Sequence, residues 1–426
     1  MSSSLSKILK IIDEDSLVGR KRDAKRSCLI DEETFCFAST FQATRAIRNE
    51  KIFRRRWDEP YMRDLATKES SFVAEYRLDP SSFDILSGML EMDLRVDERM
   101  SQISTSSGAI STNSRLGSAL IILAGGRRIE CMRTHGVSSP FVYENLRRVV
   151  RAINNHPGLA ITCDTSANSM KAKAKSYSDL GDHDLFKYCV GAIDGLAIKT
   201  RTPSKNLFQN TARFTSGSKK IVCINMQAVC QSDLQFQAVT CKHVGCTNDA
   251  VAFETSSLKG LCQSLPFPYH WLGDNAYTLS ETMLVPYPGQ NLHITNPELE
   301  TFNFYQSQMR ITIECAFGVF VRRWGILWKS MEYNLDFQFE IVHACCRLHN
   351  FCIQRRLPTF QITNGIGNGI IAVDAEGVLT DPSWRRDAVP DPSLASSART
   401  GSALRNKIVN EILTKQITKI RSQNLA

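Results

Sequence analysis

The sequence lacks any long apolar run. Its longest candidate, Ala119–Gly125, falls far short of the roughly 20 residues a membrane span needs, so no membrane association is expected. A signal peptide is not expected either: MSSSLSKILKIIDED holds only a short apolar patch, soon followed by charge. There is no CxxC pair and no Gly-x-Ser-x-Gly elbow, which argues against the commonest zinc patterns and against an α/β hydrolase. The 14 cysteines are scattered through apolar segments, as at Cys189 and Cys223, with Cys345 and Cys346 adjacent. Cys241, His243 and Cys246 make one zinc-like grouping. The better reading is small buried hydrophobes in a reducing compartment, without disulfides, in the nucleus or the cytoplasm.

What the sequence does have is size and a modest basic excess. Its 426 residues allow two or three domains, and a formal net charge of +9 mildly favours a polyanionic partner. Residues 1–65 are polar and contain the basic runs GRKRDAKR (Gly19–Arg26) and FRRRW (Phe53–Trp57), and the segment is expected to be flexible. Asp79 and Pro80 suit the cap and first position of a helix carrying Phe83, Leu86 and Leu90. Residues 99–115 read as a Ser/Thr-rich loop. A helical unit follows. One helix carries Leu116, Ala119, Leu120 and Leu123 and ends at Gly125-Gly126. A short segment spans Ile129–Thr134. After a turn at Gly136, a longer helix is capped by Ser138 or Ser139. Val142, Leu146, Val149 and Ile153 form its stripe, with Arg147, Arg148 and Arg151 largely off it. This order predicts a helix-turn-helix DNA-binding region over 70–160, its arginines meeting phosphates or guanine edges.

From about 184 to 278 the pattern changes to short apolar runs between turns: LFKYCVGAIDG, KKIVCINMQAVC, FQAVTC and YHWLGD, read as strands of one sheet. Beyond Pro288 the helical period returns through Met309, Ile313, Ala316, Phe317, Phe320 and Trp324, and again from Phe337 to Arg355. Trp324 and Trp328 are expected in the core, and His343 and His349 are expected to be structural. Residues 361–426 read as a poorly ordered tail with a final helix near Leu404–Ile420.

Three acids sit where the pattern does not want charge. Asp194 ends the run Tyr188–Ile193, Asp274 ends Tyr269–Gly273, and Glu314 lies beside the apolar face of its helix. Carboxylates so placed are costly unless a cation pairs with them. Two-metal cleavage of a phosphodiester needs hard oxygen ligands around two divalent ions about 4 Å apart, and acids from two strands and a helix can supply them. Each acid alone also reads as a turn aspartate, a helix cap, or the partner of Arg310 four residues earlier.

At these residues the chain resembles the Harbinger (PIF/Harbinger) superfamily of DDE transposases and the nucleases derived from them. The resemblance rests on VGAIDG (Val190–Gly195), WLGDNAY (Trp271–Tyr277) with VPY (Val285–Tyr287), RITIECAFGVFVRRWGIL (Arg310–Leu327) and CCRLHNFC (Cys345–Cys352). It spans about residues 70–355 and implies an α/β fold: an RNase H-like nuclease core over 184–355, a mixed sheet flanked by helices, behind the all-α helix-turn-helix region. It maps the catalytic, metal-holding acids to Asp194, Asp274 and Glu314, and adds Asp249, in Gly245–Asp249, as a fourth metal ligand. Asp249 also reads as a turn residue. Departures from the family pattern are Asn248 in place of a histidine, Asn275-Ala276 in place of Ser-Gly, and Cys315 in place of an arginine. The implied cofactor is a divalent cation, Mg²⁺ or Mn²⁺. The implied partners are double-stranded DNA at element ends and target, a Myb-like DNA-binding protein, and a second copy of the chain. Arg310, Arg322, Arg323, Lys219 and Lys220 are further candidates for the DNA backbone. The function implied is cleavage, with or without strand transfer; the alternative is an inactive, transposase-derived DNA-binding protein.

Overall fold

Two short helices, α1 (Pro60–Thr67) and α2 (Glu69–Tyr76), open the part of the chain that a computed structural model describes. The described residues are 57, 59–96, 99, 109–181, 183–203, 210–217, 220–289, 292–357 and 401–417. The basic runs at 19–26 and 53–56, Lys219 and the segment 361–400 lie outside them.

Helix α3 (Pro80–Leu94) begins as its residues dictate: Asp79 Oδ1 accepts the Ser82 amide at 2.9 Å and proline occupies the first turn. Helices α4 (Thr112–Leu123), α5 (Arg128–His135) and α6 (Ser139–Asn155) follow in the expected order. Ser111 caps α4, so that helix starts inside the stretch read as loop. Gly136 ends α5 in the left-handed region at φ 60°, and Ser138 caps α6. Helix α7 (Ala167–Ser178), which sequence patterning did not mark, leads into the sheet.

The sheet is five-stranded and mixed, flanked by helices. Its strands are β1 (Cys189–Lys199), β2 (Cys223–Cys230), β3 (Phe236–Val244), β4 (His270–Leu272) and β5 (Met283–Leu284), in the order β3-β2-β1-β4-β5. β1 pairs antiparallel with β2 (Asp194 opposite Ala228) and parallel with β4 (Ala192 opposite Leu272). The expected runs become β1 to β4. Between β3 and β4 the chain also forms α8 (Asp249–Glu254) and α9 (Ser257–Gln263).

The near-continuous burial of β2 and of the first half of β1 follows from cover on both faces. Ala192, Ile198, Ile224, Met226 and Ala228 enter one hydrophobic cluster; Ile193, Val229 and Ala238 enter the other. Past α10 (Leu292–Thr295), the long helix α11 (Pro297–Arg323) joins the two clusters. Its Phe302, Tyr305 and Met309 belong to one; its Ile313, Ala316, Phe317 and Phe320 belong to the other. Helix α12 (Leu335–Gln354) fastens edge strand β3, with Asn350 accepting from the Phe236 amide at 2.8 Å and donating to its carbonyl at 2.7 Å. Helix α13 (Gly401–Thr414) adds Ile408, Val409 and Ile412 to the cluster around α7 and β4.

The helical region does not carry a core of its own. Leu86 and Leu90 of α3, Leu120 of α4, and Leu146 and Val149 of α6 share one cluster with Met226 of β2, Phe320 of α11 and Ile341 of α12. No helix among the described residues is long and apolar enough to cross a membrane.

Candidate active site

Asp194 lies midway along β1. Its Oδ1 accepts the Gly195 amide at 2.7 Å, and its Oδ2 stands 3.1 Å from Nη1 of Arg310 on α11. The other arm of that guanidinium, Nη2, is 2.6 Å from Oε1 of Glu314, one helical turn on. One cation thus bridges an acid from the central strand and an acid from the helix crossing it. The side chains of Asp194, Arg310 and Glu314 are only 20 %, 18 % and 11 % exposed, so water screens the pairs weakly. Asp274 follows β4, the parallel neighbour of β1. Its Oδ1 accepts the Ala276 amide at 3.0 Å, closing a turn. Buried Gln306 of α11 donates to the Gly273 carbonyl at 2.8 Å and ties that turn to the helix.

The charges of these groups act on one another. Burial raises the Asp194 carboxyl to about 7; Arg310 and the Gly195 amide pull it down, while Asp274 and Asp249 push it further up. Asp274 is raised chiefly by burial, with Arg310 acting against the rise and Asp249 with it. Burial weakens the charge on Arg310, but Asp194, Glu314 and Asp274 together outweigh it and hold the guanidinium above its ordinary value. One guanidinium shared between Asp194 and Glu314 does not offset the burial of Asp194.

Asp249 is held differently. Asn248 caps α8 by accepting the Val251 amide at 2.8 Å, which gives work to the residue standing in place of the family's histidine. Asp249, the first residue of α8, accepts at Oδ1 from Asn225 Nδ2 at 3.0 Å and Gln227 Nε2 at 2.6 Å. Gln227 Oε1 in turn accepts the hydroxyl of buried Tyr277. Residue 195 must be glycine for this packing, because a Cβ there would lie 2.2 Å from Asp249 Oδ1. By strand alternation Asp249 therefore meets β1 on the face opposite the Asp194 side chain. Sequence reading missed Asn225, Gln227, Tyr277 and Gln306. The signal was present for two of them: Asn225 and Gln227 are alternate polar residues inside an apolar strand, which calls for buried partners.

The other candidates scatter. Arg147 points Nη2 at Asn334 Oδ1, 3.5 Å away, and stacks over Phe337 with 4.3 Å from guanidinium to ring centroid. Arg148 donates to the Asp93 and Arg95 carbonyls at the end of α3 at 2.8–3.1 Å. Arg151 pairs with Glu340 at 3.4 Å. The arginine-bearing side of α6 therefore lies against α12 and α3. Arg323 is a correction: it is 3 % exposed, donates to the carbonyls of Arg77 and Leu357, and cannot reach a phosphate. Arg322 is half-buried and Lys220 is exposed. His349 is structural as expected, its Nε2 2.9 Å from the Leu234 carbonyl. Trp324 is buried, but Trp328 is 58 % exposed, against the expectation of a core position. The described cysteines are free; Cys241 is buried while Cys246 is exposed.

The half-buried carboxylates Asp194 and Glu314, paired with one guanidinium, offer hard oxygen donors suited to a divalent ion such as Mg²⁺ or Mn²⁺. As the side chains stand, no group of three or more His, Cys, Asp or Glu among the described residues is arranged to hold a metal, and Arg310 takes one oxygen each of Asp194 and Glu314. The donor chemistry fits a divalent ion. Comparison with curated proteins and with solved structures finds no match. Residues 193–350, which run from the residue before Asp194 almost to the end of α12 and include all four acids, match the family model of the DDE superfamily endonucleases.

Proposed function

We propose that this chain is a transposase-type DNA nuclease whose acids Asp194, Asp274 and Glu314 hold divalent metal. The observation that carries the reading is the pairing of acids from β1 and α11 with one guanidinium, on which the charge of Asp274 also acts, inside the segment matching the endonuclease family. Bound divalent ions supply activation of the attacking oxygen and charge stabilisation at the leaving oxygen. The chain's own residues do the positioning. Gln306 sets the Asp274 turn, the Gly195 amide orients Asp194, and the Asn225–Gln227–Tyr277 network anchors Asp249 behind β1. Asp249 meets β1 on the face opposite the Asp194 side chain, so the metal is assigned to Asp194, Asp274 and Glu314, and Asp249 acts on the two aspartates through its charge. Support for an RNase H-like core comes from a mixed sheet with an acid on its central strand.

The finer reading is a Harbinger-type enzyme of the nucleus, acting on element ends and target DNA, with strand transfer by the freed 3′-hydroxyl. It would work as a homo-oligomer and with a Myb-like partner that supplies sequence recognition. With α6 packed inward, DNA contact falls to exposed cations such as Lys220 and to the outward parts of Arg147 and Arg151.

The test is nicking of supercoiled plasmid by purified full-length protein with Mg²⁺ or Mn²⁺, beside Asp194→Asn. Loss of metal-ligand charge is worth several kcal/mol, so the variant should be slower by about 10³-fold. Equal nicking by both proteins would remove Asp194 from the site. DNA retention without cleavage under every metal would favour the inactive DNA-binding alternative.

A further inference from the structure

The role of Arg310 is not explained by helix stability. An intrahelical pair four residues apart contributes only about 0.2–0.5 kcal/mol, and the order here, cation before anion, is the less favourable one. What distinguishes Arg310 is that its fork leaves the helix: Nη1 reaches Asp194 on β1 at 3.1 Å while Nη2 holds Glu314 at 2.6 Å. The guanidinium therefore lies between two acids from different elements, largely buried, with the charge of Asp274 also acting on it. That is the place a cation shared by those acids would take. Arginine cannot shed its charge to make room. A divalent ion drawing on Asp194 and Glu314 would face a fixed positive charge in contact with both ligands. Either the ion stays out or the guanidinium swings away.

We propose that Arg310 is a placeholder cation: it holds Asp194 and Glu314 together in the metal-free protein, competes directly with divalent metal for their oxygens, and must be displaced when metal loads. This rests on the metal-holding reading of the acids. The arginine keeps buried like charges from repelling one another before loading, at the cost of a weaker grip on the first ion. Once displaced, it stands one helical turn from Glu314, free to meet an anionic phosphate.

The experiment compares full-length wild-type protein with Arg310→Gln, both stripped of metal with EDTA and dialysed. Mn²⁺ binding is followed by the loss of the free-ion paramagnetic resonance signal, and thermal unfolding is recorded with and without Mn²⁺. Arg310→Gln should bind Mn²⁺ about tenfold more tightly. It should melt lower than wild type in EDTA and gain more from added Mn²⁺. A merely structural arginine would lower the melting temperature without raising affinity. Equal or weaker Mn²⁺ binding by the variant overturns the placeholder and leaves the metal-site reading standing. Absence of binding by both proteins overturns both. Should Arg310→Gln not fold, Arg310→Lys keeps the charge but not the fork, and is expected to gain roughly threefold in affinity. No gain there also overturns the proposal.

Discussion

Asp194 makes the metal-free protein sensitive to pH. Burial and neighbouring acids outweigh Arg310 and push its folded-state carboxyl up to about 7 from an ordinary value of 3.8. Below about pH 4 the group is protonated whether the chain is folded or not, and above about 7 it is ionised in both states. Between the two, only the unfolded chain gives up the proton, so this group's contribution to stability falls as pH rises through that window. Thermal melts in EDTA across pH 4.5–7.5 should show an Asp194→Asn protein losing less stability toward neutral pH than wild type. Parallel curves would mean that the carboxyl titrates normally. Gly195 is as constrained as its neighbour is charged. In Gly195→Ala the new methyl would overlap Asp249 Oδ1 at 2.2 Å and Gln227 Nε2 at 2.7 Å. Overpacking of this kind costs about 1–3 kcal/mol. Denaturant unfolding would register it as a lower midpoint, and nicking should fall with it because Asp249 is pushed from its amide anchors.

At the scale of elements, what fixes the sheet is reach from α12. Asn350 uses both ends of its amide on the backbone of Phe236, and His349 takes the Leu234 carbonyl beside it, so β3 is held as though by a further strand. Replacing Asn350 by Ala leaves a backbone donor and acceptor without their partner, at about 1–3 kcal/mol each. Amide exchange around Phe236 should then accelerate, while α6 exchanges as before. The turn between α4 and α5 is the other such junction. Gly125 adopts φ 93°, a Cβ there would sit 2.8 Å from the carbonyl carbon of Gly325, and Lys329 donates to the Gly125 carbonyl. The Gly-Gly pair read from sequence as a helix stop thus also lets the helical region touch the segment that follows α11.

At the scale of the molecule, the helical region and the sheet share one core. A fragment starting at residue 184 would uncover the side of α12 that packs against α6 and leave the shared cluster incomplete. Each large apolar side chain uncovered forfeits about 1.5–3 kcal/mol, against a typical total stability of about 5–15 kcal/mol. Such a fragment should show helical circular dichroism but bind a hydrophobic dye and unfold without cooperativity. A sharp melt would show that the region 184–355 folds alone.

How much was legible in the sequence follows the range of the forces involved. Caps at Asp79 and Ser138, the left-handed stop at Gly136, the strand runs of β1 to β4 and the apolar stripes of α11 and α12 are local, and each is written in neighbouring residues. Asp194, Asp274 and Glu314 stood out because charge beside an apolar run demands a reason, and that demand needs no coordinates. Short α8 and α9 escaped because their periods are too brief to separate from strand. The arginines of α6 were read as outward-facing because a helical wheel shows where side chains point but not what arrives there. Only tertiary structure decided that α12 and the end of α3 occupy that face, that Arg310 spans Asp194 and Glu314, and that Gln227 and Tyr277 stand behind Asp249. These are meetings between segments distant along the chain. The geometry of such contacts is set by packing of the whole core, which no window of sequence contains.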